Sequence, residues 1–247
     1  MNNTTNFVTA LRRWKFTCLV LMLLFLNVTH PFISENTPLY TLSYTLFIIV
    51  FVIAFLVLFR SRRSRTVAAV LGVPTITAVS MNYLLPSASP ELDALLFHLF
   101  PALFLFFTAI VILETIFRDA VVSADSVNGA FGGYLLLGLA FSHIYCLLLA
   151  FRPSAFMLSE TLGELPSEGG ARHSLFTYFS FCTLTTLGYG DIIPKGPGAR
   201  TLAWVEAVIG QFYVAVIVAE LIALKVSTAL RDQQPAAQST DSKSPEE

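Results

Sequence analysis

Apolar residues run along this chain in blocks. Six stretches are nearly free of charge and close to the roughly 20 residues a helix needs to cross a bilayer core: 15–30, 39–59, 66–85, 92–117, 129–151 and 201–226. A seventh, 174–187, is too short to span and reads as a segment that dips into the bilayer and turns back. Such blocks follow neither the period of an amphipathic helix nor that of a half-buried strand. The expected fold class is therefore all-α membrane protein, with six transmembrane helices and a re-entrant helix between the fifth and sixth. Pro74 and Pro101 fall inside the third and fourth stretches and are expected to kink them.

If six helices alternate, eleven of the fifteen Lys and Arg residues share one face. These are Arg12, Arg13, Lys15, Arg60, Arg62, Arg63, Arg65, Arg118, Lys225, Arg231 and Lys243. Arg152, Arg172, Lys195 and Arg200 take the other. Basic residues stay on the cytoplasmic side, so both termini are expected there and the 152–200 region faces out. The first stretch also resembles a signal peptide, but no small-x-small cleavage site follows it, and a retained helix is the expectation. The chain reads as a multi-pass protein of the plasma membrane, or of the inner membrane in a bacterium.

Composition sharpens this picture. The 247 residues are 55% hydrophobic and 13% charged, against about 25% charged in a soluble domain, and the mean hydropathy is +0.71. A net charge of −1 gives no reason to expect nucleic acid as a partner. Cys18, Cys146 and Cys182 sit in apolar stretches without metal-ligand or redox spacing, which makes them small core residues. No phosphate-binding loop or paired catalytic constellation is visible, so an enzyme is not expected. Residues 227–247 are polar and rich in Gln, Ser and Pro, and are expected to stay without structure, leaving no cytoplasmic ligand-binding domain.

The chemistry concentrates in Thr186-Leu187-Gly188-Tyr189-Gly190-Asp191. A cation crossing a bilayer must exchange its water for oxygens of similar field strength, and consecutive backbone carbonyls supply them if all aim at one axis. Gly188 and Gly190, interleaved with Leu187 and Tyr189, relax the steric limits on φ and ψ that prevent this in ordinary chain. The Thr186 hydroxyl would add an innermost oxygen. The apolar run Ser174–Thr186 leads in as a short helix whose C-terminal partial charge favours a cation, and Asp191-Ile192-Ile193-Pro194 leads back out.

Ser180–Pro194 closely resembles the pore signature of the tetrameric potassium channels, particularly small six-span prokaryotic members. It differs from the general Thr-Val-Gly-Tyr-Gly filter at Leu187, whose side chain would point away from the ion. The resemblance covers roughly the last hundred residues. It implies that Thr186, Leu187, Gly188 and Tyr189 coordinate K+ as the permeant ion, with no cofactor, and that 174–187 is a pore helix. Gly190 would let the chain turn and Asp191 would anchor the outer mouth, with Tyr178 and Thr185 as supports. Where the family often has two Trp residues, this chain has Tyr178 and Phe179. Tyr178 could still reach Asp191, whereas Phe179 can only pack. Cys182 stands where some members have a Glu that partners the Asp. Gly210 occupies the family's hinge position; close packing of helices between subunits would explain a glycine there equally well.

The implied protein is a homotetramer in a lipid bilayer, conducting K+ passively. Its chain divides into a cytoplasmic N-terminus 1–14, a four-helix bundle 15–118, a cytoplasmic linker 119–128, a pore domain 129–226 and a tail 227–247. The fourth stretch, Leu92–Phe117, has no basic residue, so strong voltage gating is not expected. Glu220 could form a ring that concentrates cations at the inner mouth, or pair with Lys225 or a neighbouring helix. Glu206 is expected behind the filter, hydrogen-bonded or protonated. Glu114 and Arg118 form a simple i,i+4 pair, and His98 and His143 are interhelical hydrogen-bonders. Glu160, Glu164 and Glu168 either make the outer entrance electronegative or belong to a solvated loop. Two other readings remain open, a K+ transporter subunit and a non-conducting membrane sensor or accessory subunit on a channel scaffold.

Overall fold

The computed structural model describes residues 14–29, 61–81, 94–118, 123–160, 162–163, 165–166 and 170–238. Within them the order is α1 (Lys15–Thr29), α2 (Arg62–Met81), a π-helical turn (Leu95–Leu99) running into α3 (Phe100–Arg118), α4 (Ala124–Phe151), β1 (Phe156–Leu158), α5 (Gly170–Leu184), β2 (Ile192–Pro194) and α6 (Pro197–Gln238). Among the described residues, three helical runs are long and apolar enough to cross a membrane: Leu95–Arg118, Ala124–Phe151 and Pro197–Glu220. Helix α1 is apolar but shorter. The expected span 39–59 lies outside the described residues, as do 82–85 of the third and 92–93 of the fourth.

Helix α4 is the central post. On one side it packs with α1 and α3 through Phe16, Val20, Leu23, Phe104, Ile112, Ile116, Leu136 and Ala140. On the other it meets α5 and the start of α6 through Phe141, Tyr145, Phe176, Phe179 and Ala199. Gly129 lets α1 lie close, since a Cβ there would sit 2.8 Å from Phe16 Cγ. At the same end Asp125 accepts from the Thr17 amide at 2.9 Å and the Thr17 hydroxyl at 2.8 Å. Its carboxylate thereby occupies the N-terminus of α1, where unpaired amides and the helix dipole favour an anion.

Two boundaries differ from expectation, each for a local reason. The linker 119–128 is helical from Ala124, because Ser123 and Ser126 form a reciprocal capping box that starts α4 before its apolar run begins. The tail 227–247 is not wholly without structure: α6 continues to Gln238. Ala229, Leu230, Arg231, Gln233 and Gln234 are strong helix formers that can extend an existing helix without a new nucleus. At Pro101 the chain makes a π turn just ahead of the proline, which then lies in the first turn of α3, where its missing N–H does least harm. Thr75 and Thr77 of α2 bond to the Leu71 and Val73 carbonyls one turn back, which satisfies their hydroxyls within the helix.

Candidate functional site

Backbone geometry at Thr186–Gly190 is unlike the rest of the chain. φ is +59° at Thr186, +56° at Gly188 and +77° at Gly190, while Leu187 and Tyr189 stay negative. A non-glycine residue rarely adopts positive φ, so Thr186 is held there by its surroundings. A chain that alternates the sign of φ can point successive carbonyls to one side, which a regular strand cannot.

The amides show where that geometry is anchored. Thr186 N–H donates to the Thr183 carbonyl at 2.9 Å, and the Leu187 and Gly188 amides both donate to the Cys182 carbonyl, at 2.8 and 3.2 Å. The last turn of α5 therefore takes the loop's N–H groups. No hydrogen bond among the described residues uses the carbonyls of Thr186–Tyr189, and polar backbone of this kind must find partners elsewhere. Thr185 adds support by donating its hydroxyl to the Phe181 carbonyl at 2.6 Å.

Asp191 closes the loop. Tyr178 Oη donates to its Oδ2 at 2.5 Å, and its Oδ1 accepts from the Ile192 amide at 3.0 Å. That bond pushes the Tyr178 phenol above its ordinary range, so the donor proton stays in place at neutral pH. The Tyr178 and Tyr189 rings stack with centroids 6.4 Å apart. Phe179 packs, as expected, with its ring 4.9 Å from Tyr145 and 5.6 Å from Phe156. A feature with no forewarning in the sequence is the antiparallel pair β1–β2, in which Phe156 faces Pro194 and Leu158 faces Ile192. With the Ser159 amide on the Asp191 carbonyl at 2.8 Å, it ties the outgoing chain to the loop after α4.

Helix α6 packs against the C-terminal end of α5, where the loop begins. A Cβ on Gly210 would overlap the Leu184 carbonyl oxygen and lie 3.0 Å from its carbon. Close approach within one chain is thus sufficient reason for glycine there. The same Leu184 oxygen accepts from Tyr134 Oη of α4 at 3.1 Å. Beside Gly210, Gln211 reaches the Thr186 hydroxyl at 3.4 Å. Sequence reasoning missed Gln211 as well, although an uncharged amide alone in an apolar span is a signal of its own.

Glu206, Tyr145 and Ser180 are all fully buried. Tyr145 Oη lies 2.5 Å from Glu206 Oε2, and Ser180 Oγ lies 2.5 Å from Oε1 and 2.6 Å from the Gly138 carbonyl. His98 and His143 meet Nδ1 to Nδ1 at 3.2 Å, joining the π turn to α4. The His173 ring of α5 lies 4.4 Å from that of His143. Glu114 and Arg118 pair at 2.6 Å on the surface of α3. Glu220 is exposed on α6 and, among the described residues, forms no ion pair with Lys225, which five residues along a helix lies on another face. Glu160 is exposed, and Glu164 and Glu168 lie outside the described residues.

Residues 133–225, from within α4 through α5 and the loop into α6, match the family model described as "Ion channel". Together with the loop geometry above, that match supports a pore-loop cation channel family for the site-bearing part of the chain. No curated protein and no solved structure matches the chain.

Proposed function

We propose that this protein is a potassium-selective channel subunit, four copies of which surround one pore lined by the carbonyls of Thr186, Leu187, Gly188 and Tyr189. The observation that carries this reading is the anchoring of the Thr186–Gly188 amides to the end of α5 while φ alternates in sign from Thr186 to Gly190. Carbonyls left without partners by such an arrangement can replace the hydration shell of a dehydrated cation. One loop supplies a quarter of the cage, so closed fourfold symmetry completes it.

The surface of the single chain supports the assembly. Only 17% of the apolar window of α6 is buried, against 61% of that of α4. Trp204, Val208, Phe212 and Val216 stand exposed on α6, and Leu187 and Tyr189 on the loop. Apolar exposure on this scale marks a surface that meets lipid or other protein. In this reading α5 is the re-entrant pore helix, α4 the outer and α6 the inner helix, with Asp191 at the outer mouth and both termini in the cytoplasm. In the same reading α1, the apolar sequence stretch 39–59 (outside the described residues) and α2 would be the first three of six spans. Glu220 lies in the cytoplasmic half of α6, where four copies would attract cations to the inner mouth. Gly210 allows the inner helix to seat against the filter, and bending there is a second use of the same residue.

Reconstitution into K+-loaded vesicles tests the reading. K+ efflux is expected from the natural protein and none from Gly188→Asp. Absence of flux, or flux that survives the substitution, would contradict it and favour the accessory-subunit or transporter alternatives.

A further inference from the structure

The three short oxygen–oxygen contacts around Glu206 need three hydrogens. Tyr145 Oη to Glu206 Oε2, Ser180 Oγ to Glu206 Oε1 and Ser180 Oγ to Gly138 O are 2.5, 2.5 and 2.6 Å long. Two oxygens so close, with no proton between them, repel. Tyr145 brings one hydrogen, which it directs to Oε2. Ser180 brings one more and faces two acceptors. A backbone carbonyl cannot donate, so the Ser180 hydrogen belongs to the Gly138 oxygen. The hydrogen between Ser180 and Oε1 must then come from Glu206 itself.

The network joins three elements. Tyr145 and Gly138 belong to α4, Ser180 to α5 and Glu206 to α6. No buried polar side-chain atom among the described residues is left without a partner, and a fully satisfied buried network of this kind fixes its members in one arrangement. Ser180 stands two residues before Cys182, whose carbonyl holds the Leu187 and Gly188 amides. A shift of the last turn of α5 would therefore be passed directly to the loop.

We propose that Glu206 is a positioning residue for the filter: as the neutral acid it donates to Ser180 and accepts from Tyr145, clamping α5 between the inner and outer helices. The clamp works from behind the loop, whereas the Tyr178–Asp191 contact works from the outer mouth. Its role in selectivity rests on the conduction reading above; the proton on Glu206 does not.

Two measurements separate these layers. In the infrared spectrum of the reconstituted protein at neutral pH, a protonated-carboxylic-acid carbonyl band is expected and should vanish in Glu206→Gln. A spectrum in which wild type and Glu206→Gln share the same carboxylic-acid region overturns the neutral acid. In vesicle flux, Glu206→Gln should keep the K+ over Na+ preference, because an amide can donate to Ser180 and accept from Tyr145 alike. Glu206→Ala should lose that preference about tenfold or more, the scale of one buried hydrogen-bond network. Ser180→Ala, which leaves a smaller void, should move it in the same direction and decides the case if Glu206→Ala does not assemble. An unchanged ion preference in the alanine variants, or Glu206→Gln behaving as they do, overturns the clamp. A wild-type protein without K+ preference overturns the conduction reading instead, and the filter role with it, while the infrared band still decides the proton.

Discussion

Gly210→Ala should destabilise the protein even though it adds the best helix former to the middle of a helix. The added Cβ would overlap the Leu184 carbonyl oxygen and lie 3.0 and 3.1 Å from Leu184 C and Cδ1. Two of those three atoms are backbone at the end of α5 and cannot swing aside. The carbonyl is also held by Tyr134 Oη at 3.1 Å, so retreat costs a hydrogen bond. Overpacking of this kind costs roughly 1–3 kcal/mol, and the better helix propensity of Ala returns about 0.5–1 kcal/mol. Because the obstacle is rigid, the upper part of the range applies, and a net loss of about 1–2 kcal/mol is expected. Gly198→Ala is the internal control. Gly198 lies in the first turn of the same helix, and a Cβ there would have its nearest neighbour, Leu148 Cδ1, 4.0 Å away. Alanine at that position should be neutral or stabilising by up to about 1 kcal/mol. Thermal unfolding of the two detergent-solubilised variants, followed by size-exclusion chromatography, compares them directly. If Gly210→Ala melts no lower than Gly198→Ala and alters only opening, close approach is the wrong reason for the glycine and bending is the right one.

Other substitutions test other joints. Asp125→Ala removes the carboxylate that caps α1 and should cost about 1–2 kcal/mol, read as a lower melting midpoint, with Asp125→Asn losing less. Gly133→Ala should displace the Tyr213 hydroxyl, 2.5 Å from the new Cβ, from its 2.6 Å bond to the Ala130 carbonyl. Tyr213→Phe in the same chain should recover part of the loss, so that the two changes are non-additive in a double-mutant cycle. Tyr178→Phe keeps the ring stacked on Tyr189 but removes the Asp191 contact, and should lower the K+ to Na+ permeability ratio without lowering the amount of folded protein. An unchanged ratio would show that the outer bond is incidental to the filter.

What could be read from the sequence divides along physical lines. Long apolar runs and the Thr186–Asp191 motif carry their meaning locally, so α3, α4, α6, α5 and the loop were all expected near where they stand. The Tyr178–Asp191 contact and the packing of Phe179 were legible too, through the family resemblance rather than through the geometry of α5. Features that depend on long-range geometry were not. Asp125 fell within the expected linker 119–128, and only the fold brings Thr17 to it across more than a hundred residues. Ser180 and Tyr145 gave no sign of sharing a carboxyl, although Glu206 alone in an apolar span announced that it needed partners. The start of α4 and the extension of α6 were missed because capping and propensity, not hydropathy, set those ends. Positive φ at Thr186 has no signature in a residue that rarely adopts it.

The most direct test of selective conduction is the reversal potential of single-protein currents in a planar bilayer with K+ on one side and Na+ on the other. A pore built from the carbonyls of Thr186–Tyr189 predicts reversal far toward the K+ equilibrium potential, shifted toward zero by Tyr178→Phe and abolished with the current by Gly188→Asp. Currents that reverse midway between the K+ and Na+ potentials, in a protein with its loop intact, would contradict it.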